Sequence, residues 1–139
     1  MKKVISIILV IIWMIVIFYL SNQNSLETNE TTGLIYKLFH INTDSIFVFV
    51  LIRKFAHFFE YLILGILVYY MFKQFNVNKT IICTLLLCII YSCSDEIHQL
   101  FIPGRTGKII DCLIDALGSI TGILLYKIVE KLHKRLSKN

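Results

Sequence analysis

Proline is almost missing from this 139-residue chain: Pro103 stands alone, so none of the long segments carries the ring that breaks a helix. None of the four cysteines falls into a C-x-x-C pair, which argues against a thiolate zinc site or a dithiol redox centre. H-E-x-x-H is absent, which removes the zincin arrangement. No A-x-A cleavage site follows the first apolar run, so Val4 to Leu20 reads as an uncleaved helix rather than a signal peptide. No internal repeat is detectable, and four helices without one supply few gates for a transporter.

What is present is apolar. Hydrophobic residues make up 57% of the chain and mean hydropathy is +0.75, more than the surface of an ordinary soluble domain accommodates. The excess has to be covered by lipid, and a chain of this length has room for a single domain, 1–139. Four apolar runs span about 4–20, 55–72, 80–100 and 109–129. Each is near the ~20 residues that cross a hydrocarbon core. Backbone groups in lipid must be satisfied within the segment, so each run is a helix. The expected fold is an all-α integral membrane bundle of four transmembrane helices, with an interfacial or re-entrant segment in the first loop. Leu34, Ile35, Leu38 and Phe39 recur there at helical spacing, and Ile46 to Ile52 either extends the second helix or re-enters the membrane.

The formal net charge of +5 lies between the apolar runs and at the two ends, as in a chain oriented against anionic headgroups, and nucleic acid is not an expected partner. With the N-terminus inside, nine Lys and Arg fall on the inner segments and five on the outer ones. That bias predicts both termini in the cytoplasm, with Ser21 to Arg53 and Ile102 to Lys108 outside. Cys83, Cys88, Cys93 and Cys112 lie within apolar runs and read as buried packing residues.

This topology brings three helix ends to one depth. They carry Arg53, Lys54, His57 and Glu60; Asp95, Glu96, His98 and Gln99; and Arg105, Lys108, Asp111 and Asp115. Helical spacing puts Arg53, His57, Glu60 and Leu64 on one side, Asp95, His98 and Gln99 on another with Glu96 one step round, and Asp111, Asp115, Gly118 and Gly122 on a third. The lower half of that last stripe is G-x-x-x-G, which admits a neighbouring backbone, so the carboxylates face protein. Ionisable groups at membrane depth pair, line a wet cavity or act on a substrate. Two histidines and five carboxylates exceed what helix locking requires, although an ion-pair network remains the competing reading. His57 with Glu60, and Asp95 with His98, are i, i+3 donor pairs suited to a divalent metal. Ile102-Pro103-Gly104-Arg105 reads as a tight turn that holds Arg105 over the cluster, where a guanidinium suits an anionic headgroup.

Arg-Lys-Phe-Ala-His-Phe-Phe-Glu-Tyr (53–61), Ser-Asp-Glu-Ile-His-Gln-Leu-Phe-Ile-Pro-Gly-Arg (94–105) and Asp-Cys-Leu-Ile-Asp-Ala-Leu-Gly-Ser-Ile-Thr-Gly (111–122) resemble, in order, the three signatures of the VanZ-like family. Phe18 to Gln23 resembles that family's first-helix ending. The resemblance covers nearly the whole chain. It implies a bacterial plasma-membrane protein, in a family whose founding member is associated with teicoplanin resistance. Arg53, His57, Glu60 and Tyr61 match the first signature, Asp95, Glu96, His98, Gln99, Pro103, Gly104 and Arg105 the second, and Asp111, Asp115 and Gly118 the third.

The resulting expectation is a polar site for an anionic membrane lipid or lipid-linked envelope precursor. His57, Glu60, Asp95, Glu96 and His98 are the candidate catalytic groups. Arg53, Gln99, Arg105, Asp111 and Asp115 are the candidate substrate-binding groups. The alternative is a non-enzymatic membrane protein that modulates antibiotic access and whose charges are structural.

Overall fold

The computed structural model describes residues 1–22, 46–102 and 107–137. Among these residues it has four helices: α1 Lys2–Ser21, α2 Ile46–Gln74, α3 Thr80–Gln99 and α4 Ile109–Leu136. All four are long and apolar enough to cross a membrane, and the described residues hold no strand. Two helices exceed the expected bounds. α2 begins at Ile46, so the apolar stretch Ile46 to Ile52 extends it rather than re-entering the membrane. α4 continues through Lys131, Lys134 and Arg135, because nothing after Val129 breaks a helix and cations suit a helix C-terminus. The expected interfacial segment at Leu34 to Phe39 lies outside the described residues.

The α2–α3 link is a Schellman closure. Val77 N–H donates to Phe72 O and Asn76 N–H to Lys73 O, both at 3.1 Å. Asn76 takes φ 54°, a left-handed conformation that Asn tolerates better than most residues.

Consecutive helices run antiparallel, so α2 is parallel to α4 and α1 to α3. α2 and α4 share the most extensive interface, α1 leans on α2, α3 fills the groove beside both α2 and α4, and α1 meets α3 through long side chains such as Tyr91, whose hydroxyl donates to Met14 O at 2.6 Å. Glycine explains how the parallel pair comes so close. A Cβ on Gly118 would collide with Phe58 O, one on Gly122 with Leu62 O, and one on Gly65 with the Ser119 backbone. The G-x-x-x-G stripe therefore faces α2, and Gly65 on α2 answers it.

The bundle is polar or small inside and apolar outside. Ser6, Thr84, Ser92 and Ser119 are buried, whereas Ile12, Phe59, Ile90, Leu117 and Leu124 are exposed, the inversion expected where lipid rather than water surrounds the helices. A compact apolar core of Val10, Ile17, Tyr61, Leu64, Val68 and Cys88 sits at mid-height. Of the four cysteines only Cys88 is a buried packing residue. Cys93 is exposed on the apolar exterior, and Cys83 and Cys112 are half-buried. Apolar context did not separate these cases, since a lipid-facing helix side is as apolar as a core.

Candidate functional site

The polar end of the bundle is built from the start of α2, the end of α3 and the start of α4, with the last turn of α1 beside them. On α3 the buried residues Ser92, Asp95, Glu96 and Gln99 are spaced as one helical stripe. His98 is not on it. Its ring stacks on Phe18 with centroids 4.8 Å apart, and its Nε2 lies 3.2 Å from Asn22 Oδ1. The expected grouping of His98 with Asp95 and Gln99 is thus corrected: Glu96 takes the inward place and His98 turns toward the end of α1.

Gln99 is the hub. Its side chain is fully buried, its Oε1 accepts from Arg53 Nη2 at 2.9 Å, and its Nε2 donates to Ser21 Oγ at 3.0 Å and Asp95 Oδ2 at 3.1 Å. An amide nitrogen has two protons, so its 3.5 Å approach to Glu96 Oε1 adds little. One side chain therefore ties α1, α2 and α3 together.

Glu96 binds the other way, toward α4. Its Oε2 accepts the Lys108 backbone N–H at 2.7 Å, which places a carboxylate at the N-terminus of α4, where the helix dipole favours negative charge. A Cβ on Gly107 would strike Glu96 O, so the α3–α4 hairpin needs glycine at that position.

Across the α2–α4 seam Lys54 lies 3.6 Å from Asp111. One turn deeper, His57 Nδ1 lies 3.4 Å from Asp115 Oδ1, yet neither atom has a hydrogen-bond partner among the described residues. The other Asp115 oxygen, Oδ2, accepts from Ser92 Oγ at 2.6 Å. Asp95 Oδ1 and Arg53 Nε are also buried and unpartnered. Buried polar atoms are normally satisfied, so this many open atoms at one end of a small bundle is a feature of the site. Donor atoms of His57, Glu96 and Asp115, one residue from each of three helices, all lie within 4.8 Å of one another.

The structure therefore assembles His57, Glu96 and Asp115, and beside them Arg53, Asp95 and Gln99. Asp111 pairs with Lys54 at the margin. Glu60 is half-buried and its carbonyl accepts from Trp13 Nε1 at 2.8 Å. Arg105, with Pro103, Gly104 and Thr106, lies outside the described residues. Sequence reasoning missed Ser92, Ser21 and Gly107. Ser92 was findable in principle, as a small polar residue one turn before Asp95 on an otherwise apolar helix; Ser21 matters only through Gln99, distant in sequence, and Gly107 through its close approach to Glu96 across the α3–α4 hairpin.

No curated protein and no solved structure matches the chain. A family model described as VanZ/LLP1 matches residues 6–130, a span running from α1 into the last turns of α4 that includes every described residue of the polar cluster. By that match the chain belongs to the VanZ-like family.

Proposed function

We propose that this VanZ-like protein binds the anionic headgroup of a membrane lipid or lipid-linked envelope precursor at the polar end of its bundle, and that His57 exchanges a proton with the bound group. Arg53 carries the reading. Its Nη2 donates to Gln99, but its Nε is buried without a partner among the described residues, and a guanidinium fixed at one corner with a free N–H is a donor for phosphate or carboxylate oxygen. Lys54 and Lys108 stand at the same end and add positive charge to the rim. On this reading the polar end faces outward at the bacterial plasma membrane and both termini are cytoplasmic. A link to teicoplanin resistance then follows as altered handling of envelope precursors.

Arg53→Lys keeps the charge and removes Nε and the fork. Losing one charge-assisted hydrogen bond costs about 1.5–3 kcal/mol, so anionic lipid retained by the purified, folded protein, measured by extraction and mass spectrometry, should fall by roughly 10- to 150-fold. Equal lipid retention by both proteins refutes the reading. Orientation is tested separately by Lys108→Cys and Ser137→Cys in a background lacking native cysteine. An impermeant thiol reagent should label the first in intact cells and the second after permeabilisation.

A specific observation favours a second, purely structural reading: the buried Gln99 amide joins three helices. On that reading Arg53→Lys lowers the melting midpoint and membrane abundance instead of lipid retention.

A further inference from the structure

We infer that His57, Glu96 and Asp115 form a divalent-cation site that takes a first-row metal such as Zn²⁺ in preference to Mg²⁺. The starting observation is a pair of buried atoms that face each other without bonding. His57 is 5% exposed and Asp115 not at all, and His57 Nδ1 and Asp115 Oδ1 both lack a hydrogen-bond partner although they are 3.4 Å apart. Two ligands held tetrahedrally at about 2.1 Å from an ion lie about 3.4 Å from each other. The observed gap is therefore too long for a hydrogen bond of normal strength and the right width for a shared ion.

The third donor is in place. Glu96, also buried, has an oxygen within 4.8 Å of the other two donor atoms, and a carboxylate rotation of roughly 1 Å brings it to coordination distance. The surroundings orient both carboxylates and leave an oxygen of each for the ion. Ser92 holds Asp115 Oδ2 at 2.6 Å, which leaves Oδ1 for the ion. The Lys108 amide holds Glu96 Oε2 at 2.7 Å, which leaves Oε1 with only the long 3.5 Å approach of Gln99 Nε2. Ligand carboxylates in metal sites are oriented by such partners.

Charge points the same way. Lys54 is engaged with Asp111 and Arg53 with the neutral Gln99. Among the described residues the ion-pair partner of Asp115 is His57. Two buried carboxylates bring two negative charges to membrane depth, and a divalent ion held by them and the imidazole nitrogen cancels both. One imidazole nitrogen with two carboxylate oxygens is a donor set for Zn²⁺ or its first-row neighbours, whereas Mg²⁺ prefers oxygen and water. This site does not depend on the headgroup reading, because its probe is the metal alone; a filled site engages His57 Nδ1, so proton exchange with a headgroup belongs to the metal-free state.

The test uses the full chain in detergent, stripped with chelator and titrated separately with Co²⁺, Zn²⁺ and Mg²⁺. Co²⁺ should saturate at one equivalent, with visible bands of a low-coordinate nitrogen and oxygen site and no thiolate charge-transfer band. Zn²⁺ should displace it and Mg²⁺ should not. His57→Gln should weaken Co²⁺ binding by at least about 100-fold. Ser92→Ala touches no metal and should weaken it by about 10- to 100-fold. Lack of stoichiometric binding, a thiolate spectrum, or the same affinity in Ser92→Ala and His57→Gln as in the original chain would each overturn the site. If His57→Gln does not fold, Ser92→Ala decides.

Discussion

The α2–α4 seam carries ion pairs at both ends, and the two ends are built to different standards. At the basic end Lys73 contacts Glu130, Lys134 joins the same carboxylate at 2.8 Å, and the three tyrosines Tyr69, Tyr70 and Tyr126 pack beside them. The side chains of Lys73 and Glu130 are 30% and 26% exposed, so water and headgroups share the cost of their charge. At the polar end the His57 and Asp115 side chains are 7% and 0% exposed, and the facing atoms are left open. One helix pair in one register thus makes a satisfied clamp at one end and an unsatisfied cluster at the other. Burial without satisfaction is what separates a candidate site from a staple, because an unpaired buried polar group costs more than a pairing at the rim returns.

Separating the helices should erase the comparison altogether. Gly122→Leu drives a side chain into the Leu62 backbone, where neither helix can yield without losing the register at both ends. The melting midpoint in detergent should drop by the equivalent of about 3 kcal/mol, the upper range of overpacking penalties, and metal binding should disappear with it. A full-strength site in this variant would mean that the polar end assembles without the seam.

Asp115→Asn sharpens the contrast, since it keeps the shape and removes one of the unsatisfied charges. In chelated protein the variant should melt higher, by about 1 kcal/mol, because a buried carboxylate lacking a full partner is replaced by a neutral amide. Cobalt affinity should fall at the same time. Stability gained as binding is lost is the signature of a functional site, and a clear destabilisation would instead mark Asp115 as a structural charge.

The smallest effect is expected at the basic end. Glu130→Gln breaks the contacts with Lys73 and Lys134, but partly exposed ion pairs contribute less than about 1 kcal/mol. Thermal midpoint and cobalt affinity should both stay close to those of the unaltered chain. A large loss of either would show that the two ends are coupled through the seam.

The sequence by itself determined a good deal. Four apolar runs with one proline require four helices, since lipid offers no partner for an open backbone group. The Gly118 and Gly122 spacing announced a close helix contact, and the ionisable residues gathered at three neighbouring helix ends could be read from alternating topology. These features are periodic or local, so they survive without coordinates. Only the tertiary structure decided which neighbour Gly118 and Gly122 meet, that Gly65 answers them, and that Glu96 rather than His98 turns inward beside Asp115 and His57. A residue at the edge of a stripe can turn to either side, and the choice rests on partners on other helices: Lys108 at the start of α4 for Glu96, Phe18 and Asn22 at the end of α1 for His98. The open valences of His57 and Asp115 were beyond the sequence for the same reason, because satisfaction is a property of a pair of atoms in space and not of either residue alone.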